Sequence, residues 1–124
     1  MIDSNFNKLN NYTDLPSGVS GLIEKNIDAT FYGIASGRSM EGVGIFDGDL
    51  LVIDRSASVR QGDVIVVVYN GQFVCKIADL KNNQLVSASD DYPPVKIKES
   101  DEYNLEGVVT SSVRMHRGSV KDTI

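Results

Sequence analysis

Five consecutive β-branched residues, Val64-Ile65-Val66-Val67-Val68, run into Tyr69-Asn70-Gly71. Two heavy atoms on each Cβ stiffen χ1 and favour a pleated strand over a helix. Apolar residues stand at both parities, so such a strand must be covered on both faces. Asn70-Gly71 tolerates positive φ at both positions and predicts a two-residue hairpin. Gln72 to Leu80 is then the returning strand. Tyr69 faces Gln72, and pairing outward sets Lys76 opposite Ile65, with Val74 and Ala78 on the face of Lys76 and Phe73, Cys75 and Ile77 on the other.

The same grammar recurs along the chain. Thr30 to Ala35, Leu50 to Ile53, Leu85 to Ser89 and Gly107 to Met115 read as strands, and Asn82-Asn83 as a second tight turn. Seven or so short strands make a mostly β domain with at most one short helix, Val19 to Ile27, with Leu22, Ile23 and Ile27 facing inward. Met1 to Asp14 has four asparagines and no apolar period. It reads as part of a mobile N-terminal arm over residues 1–28, ahead of a β domain at 29–124. Arg114, Arg117 and Lys121 read as a solvated tail.

Scarce residues narrow the chemistry. The 124 residues hold one cysteine, Cys75, and one histidine, His116, so neither an internal disulfide nor a Cys/His zinc cluster is expected. No metal or cofactor motif stands out. Twelve Lys and Arg against seventeen Asp and Glu give a net charge of −5. A domain that grips duplex DNA alone needs surplus cations, so no direct DNA binding is expected. No apolar run suits a membrane span or a signal peptide, which predicts a cytoplasmic protein.

One segment suits a nucleophile. Ser36-Gly37-Arg38-Ser39-Met40 follows a strand and leads into the Gly-rich turn Glu41-Gly42-Val43-Gly44. A serine at a strand end can stand exposed while nearby backbone N–H groups converge, although Ser-Gly pairs also simply make turns. A serine nucleophile needs a base. His116 lies near a terminus and reads as a surface residue. The other candidate is a lysine among apolar neighbours, where desolvation favours the neutral amine. Lys76 meets that description by register, against the ordinary alternative of a strand lysine reaching water from an edge.

Together these segments carry a resemblance. Ser36-Gly37-Arg38-Ser39-Met40, Gly44-Ile45-Phe46-Asp47-Gly48-Asp49-Leu50-Leu51-Val52, Gly62-Asp63-Val64-Ile65-Val66 and Gly71-Gln72-Phe73-Val74-Cys75-Lys76 resemble the LexA/UmuD (S24-type) family of self-cleaving serine peptidases. The resemblance runs from about Ala29 to Val113 and is nearer the UmuD branch. Ser39 and Lys76 stand 37 positions apart, as in that family. It implies a compact LexA/UmuD-like β-fold, Ser39 as nucleophile, Lys76 as general base, and the backbone N–H groups of Ser39 and Met40 as oxyanion hole.

It further implies a homodimer that trims its own arm when a RecA-type filament holds it. The trimmed dimer then serves a Y-family DNA polymerase in translesion synthesis, within the SOS response to DNA damage. The family cuts after Cys or Ala and before Gly, and neither Cys-Gly nor Ala-Gly occurs in these 124 residues. Leu15-Pro16-Ser17 resembles the segment beyond the UmuD cut, which would place Thr13-Asp14 at the scissile position. Two alternatives follow: a non-cleaving accessory subunit of a polymerase, or the peptidase half of a phage-type repressor.

Overall fold

The computed structural model describes residues 18–124. The Thr13-Asp14 bond and the Met1 to Asp14 segment lie outside them. Asn70 and Gly71 adopt positive φ, 48° and 84°, and join β3 (Val64–Tyr69) to β4 (Gln72–Asp79). The register is the expected one: Tyr69 pairs with Gln72 and Ile65 with Lys76. Five further strands complete one antiparallel sheet: β1 (Thr30–Ile34), β2 (Leu50–Asp54), β5 (Gln84–Val86), β6 (Val95–Lys96) and β7 (Tyr103–Val113). The order across the sheet is β1-β2-β7-β3-β4-β5-β6.

Alternation along β3 feeds two cores. Ile65 and Val67 join Ala78, Leu85 and Val108 on one side. Val66 joins Ala35, Met40, Ile45, Leu51 and Ile53 on the other. That is why the run is apolar at every position. β4 obeys the same parity, with Val74 packed against the first cluster and Cys75 and Ile77 against the second.

β7 bends the sheet. Its N-terminal half pairs with β3 and its C-terminal half with β2, and the register slips once in each pairing, at Glu106 and at Thr110. An extra residue in one strand bends it and re-aims a side chain. Gly107 sits at the closest approach, where a Cβ would lie 2.7 Å from Ile53 Cγ2 and 2.8 Å from the Asp54 carbonyl oxygen. No side chain fits there.

Three expectations are corrected. The helix is shorter than Val19 to Ile27: α1 spans Gly18–Ile23, and a separate 3-10 turn at Ile27–Ala29 delivers the chain to β1. Leu22 and Ile27 are exposed rather than inward, because less than two turns of helix cannot bury a continuous stripe. The strand after Asn82-Asn83 stops at Val86 instead of Ser89. Its next residues leave β4, and the Ala88 N–H donates to the Ser39 carbonyl at 2.7 Å. Finally, Arg114 is not part of a solvated tail. Its guanidinium donates through two nitrogens to both oxygens of the buried Asp49, at 2.9 and 2.8 Å, and lies over the Phe46 ring.

Candidate active site

The turn bearing Ser39 is held from below. The Gly37 N–H donates to Asp47 Oδ1, and the Ala35 and Gly48 amides are exchanged with the carbonyls of Asp49 and Ala35. The carbonyls beside Ser39 are all engaged in the body of the protein: Arg38 O accepts from Glu41, Ser39 O from Ala88, and Met40 O from Val43 and Ile45. Among the described residues, no acceptor meets the N–H of Ser39 or of Met40. These donors and the Ser39 side chain are what a developing oxyanion and a nucleophile require.

Arg114 and Asp49 brace the far end of this loop. Asp49 also accepts the Phe46 N–H, and Arg114 donates to the Gly44 carbonyl. The Arg114 guanidinium holds the Asp49 carboxyl below the usual carboxylate range, against the opposing effect of burial. Nothing in the sequence spacing marks this pair, because Asp49 and Arg114 lie in different strands' flanks 65 positions apart.

Ser39 and Lys76 line the same cavity, of about 580 Å³, together with Met40, Cys75, Arg55 and Glu106. Met40 is buried, Ser39 and Lys76 half-buried. The bulge in β7 is what turns Glu106 toward this cavity. Cys75 is the other potential nucleophile there. Burial pushes its thiol up to about 11, only partly offset by the Lys76 charge, so it stays a neutral packing group at physiological pH. His116 is exposed and lines neither this cavity nor the second one, beside α1. The base candidate brought to the serine's cavity is therefore the lysine.

The hydrogen bond of Lys76 goes to a residue that sequence reading did not single out. Its Nζ donates to Ser87 Oγ at 2.7 Å, and Tyr92 presents its ring 5.7 Å away. A two-residue turn at Asn82-Asn83 would have set Ser87 across from Ala78, but the loop between β4 and β5 is residues 80–83, so the register differs from the expected one. With Ala78 opposite Leu85 and Ile77 opposite Val86, the next step of the register sets Ser87 across from Lys76. The segment carrying Ser87 is also stitched to the serine turn, through Ala88 N–H to Ser39 O and Gly42 N–H to Ala88 O at 2.9 Å. A Cβ at Gly42 would stand 2.3 Å from that same Ala88 oxygen, so only glycine permits the approach.

No group of three or more His, Cys, Asp and Glu gathers as a metal site among the described residues. No helix among them is long and apolar enough to cross a membrane.

A bent antiparallel β domain that gathers a serine, a lysine and free backbone donors around one cavity has the makings of a serine peptidase scaffold without histidine. The chain belongs to the Peptidase S24-like family, whose model matches residues 3–110. Members of that family are self-cleaving serine peptidases. The chain is 33% identical over 112 residues to Protein ImpA of Salmonella typhimurium, covering 82% of this chain and 77% of that protein. It is 29% identical over 109 residues to Protein SamA of the same species, covering 87% and 76%. The LexA repressor of Bordetella pertussis is 31% identical over 80 residues, which is 63% of this chain and 37% of the repressor.

Proposed function

We propose that this chain is a Ser–Lys endopeptidase of the UmuD type, with Ser39 as nucleophile and Lys76 as general base. The observation that carries the proposal is the presence of both side chains on one cavity, with the histidine elsewhere. In this reading the neutral Lys76 amine takes the Ser39 hydroxyl proton as Oγ attacks a peptide carbonyl. The N–H groups of Ser39 and Met40 hold the oxyanion, and Lys76 returns the proton to the leaving amine. Water then releases the acyl group by the same relay.

Family membership and the UmuD-like relatives support a reading of the biological setting. We infer a homodimer acting in the SOS response to DNA damage, triggered by a RecA-type filament and serving a Y-family polymerase in translesion synthesis. The protein does not itself bind DNA, in keeping with its net charge of −5. Residues 1–28 are the arm within which cleavage falls, and 29–124 the peptidase domain. One sequence fact favours a second reading, a non-cleaving accessory subunit: no Ala-Gly or Cys-Gly bond occurs in the 124 residues.

The deciding experiment is incubation of the full chain at rising alkaline pH, alone and with a second chain bearing an Ala-Gly bond, with the products weighed by mass spectrometry. The peptidase reading expects a cut that accelerates with pH and vanishes in Ser39→Ala. Intact chains in both arms favour the accessory subunit.

A further inference from the structure

We propose that Ser87 is a positioning residue for Lys76, fixing the direction in which its amine receives the Ser39 proton; this rests on the Ser–Lys reading above. A neutral primary amine has two N–H donors and one lone pair, and rotation about Cε–Nζ points that lone pair anywhere on a cone. Ser87 Oγ accepts one N–H at 2.7 Å, which restricts that rotation. A lysine stem carries four rotatable bonds, so a fixed acceptor at its tip removes freedom that would otherwise oppose a reactive alignment.

The acceptor is tied to the nucleophile itself. Ser87 precedes Ala88, whose N–H binds the Ser39 carbonyl and whose carbonyl receives the Gly42 N–H. Three consecutive links thus run from Lys76 Nζ through Ser87 and Ala88 to the Ser39 backbone. Any shift of the serine turn carries the lysine's anchor with it. During transfer the proton leaves Ser39 Oγ and joins Nζ, the Oγ electron pair forms the new bond, and Ser87 continues to accept one N–H of the resulting ammonium. The Tyr92 ring lies 5.7 Å from the amine, and the cavity that Lys76 lines is also lined by the neutral Cys75 thiol on β4, Glu106 from β7 and Arg55 beyond β2. Ser87 is the hydrogen-bond acceptor that Lys76 meets among the described residues.

The test uses the full chain and a fluorophosphonate probe, which needs no scissile bond. Ser39 Oγ bonds to phosphorus, fluoride departs, and the hydroxyl proton passes to Lys76. Ser87→Ala should slow phosphonylation of Ser39 by about 10–100-fold. It should also move the midpoint of the pH–rate profile to lower pH, since the ammonium form loses an acceptor that stabilises it. Ser87→Thr, which keeps the hydroxyl, should recover the rate to within a few-fold, and thermal stability should change little in either variant. Equal rates and profiles in wild type and Ser87→Ala, with Lys76→Ala inert, would overturn the positioning role and leave the dyad standing. Equal losses in the Ala and Thr variants would also overturn it, pointing to packing instead of the hydroxyl. Labelling that survives Lys76→Ala would overturn the dyad, and the role of Ser87 with it.

Discussion

Two basic side chains stand near the loop bearing Ser39: Arg114 bonds it at Gly44, Lys76 lines the cavity that Ser39 lines, and they are furnished in opposite ways. Arg114 is firmly held: two bonds to Asp49, one to the Gly44 carbonyl, and the Phe46 ring against its plane. Its fork geometry fits a carboxylate, and its charge is permanent. Lys76 has one neutral hydroxyl and an aromatic ring beside a cavity, and among the described residues no carboxylate is bonded to it. A carboxylate there would hold the proton on the amine. The contrast separates a cation built to brace from one built to exchange a proton.

The largest effect should come from the exchanging side. Ser39→Ala and Lys76→Ala are each expected to lower cleavage by about a thousandfold or more, and the double variant no further, because the two residues act as a unit. Mass-resolved cleavage assays decide this, with circular dichroism checking that the fold persists. Cleavage in Lys76→Ala at the wild-type rate would erase the comparison.

The bracing side should respond in stability. Arg114→Met strands a carboxylate that is 1% exposed, whereas Asp49→Asn leaves a guanidinium whose side chain is 42% exposed and reaches water. Arg114→Met should therefore lower Tm more, by upwards of about 5 °C. Its deficit should shrink in acid, where Asp49 takes up a proton. A larger loss in Asp49→Asn would invert the assignment of which partner is the buried charge.

Acid should next test the network of carboxylates that braces loops across the molecule. Asp49 is held low by Arg114, Asp54 by the Ser56 hydroxyl and then Asn26, Asp79 by Asn82, Gln61 and Gln84, and Asp101 by the Tyr69 hydroxyl. A carboxyl depressed in the folded state binds fewer protons there than in the unfolded chain. Stability is then complete above the ordinary carboxylate range, near pH 4, and is lost as pH falls through the lower folded values. Thermal melts between pH 7 and 2 should stay level to about pH 5 and then decline. A decline that begins near neutrality would assign the acid response to another group.

The smallest effect is expected at His116. It is exposed and does not line the cavity, so His116→Ala should leave cleavage, its pH profile and Tm within error. A loss of cleavage there would return the base role to histidine.

Much of the fold was legible because its rules are local. The β-branched run, the Asn70-Gly71 turn and strand parity set the β3–β4 register by steric preference alone, and that register placed Lys76 opposite Ile65. Ser39 and Lys76, which line one cavity, were marked by the resemblance of their segments to the LexA/UmuD family rather than by a local rule. The sequence by itself thus determined strand identity, the hairpin and the candidate pair. What only the tertiary structure decided depends on residues far apart in the chain. Whether Arg114 floats in solvent or clamps Asp49 turns on β7 returning beside β2, and the bulges at Glu106 and Thr110 exist only where β7 pairs with β3 and β2, with Gly107 drawn close to Ile53 and Asp54. The departure of Ser87 and Ala88 from the β5 ladder has the same origin. Ala88 exchanges backbone hydrogen bonds with Ser39 and Gly42, more than forty residues earlier, and a pairing at that distance is chosen by the assembled core, not by the segment itself.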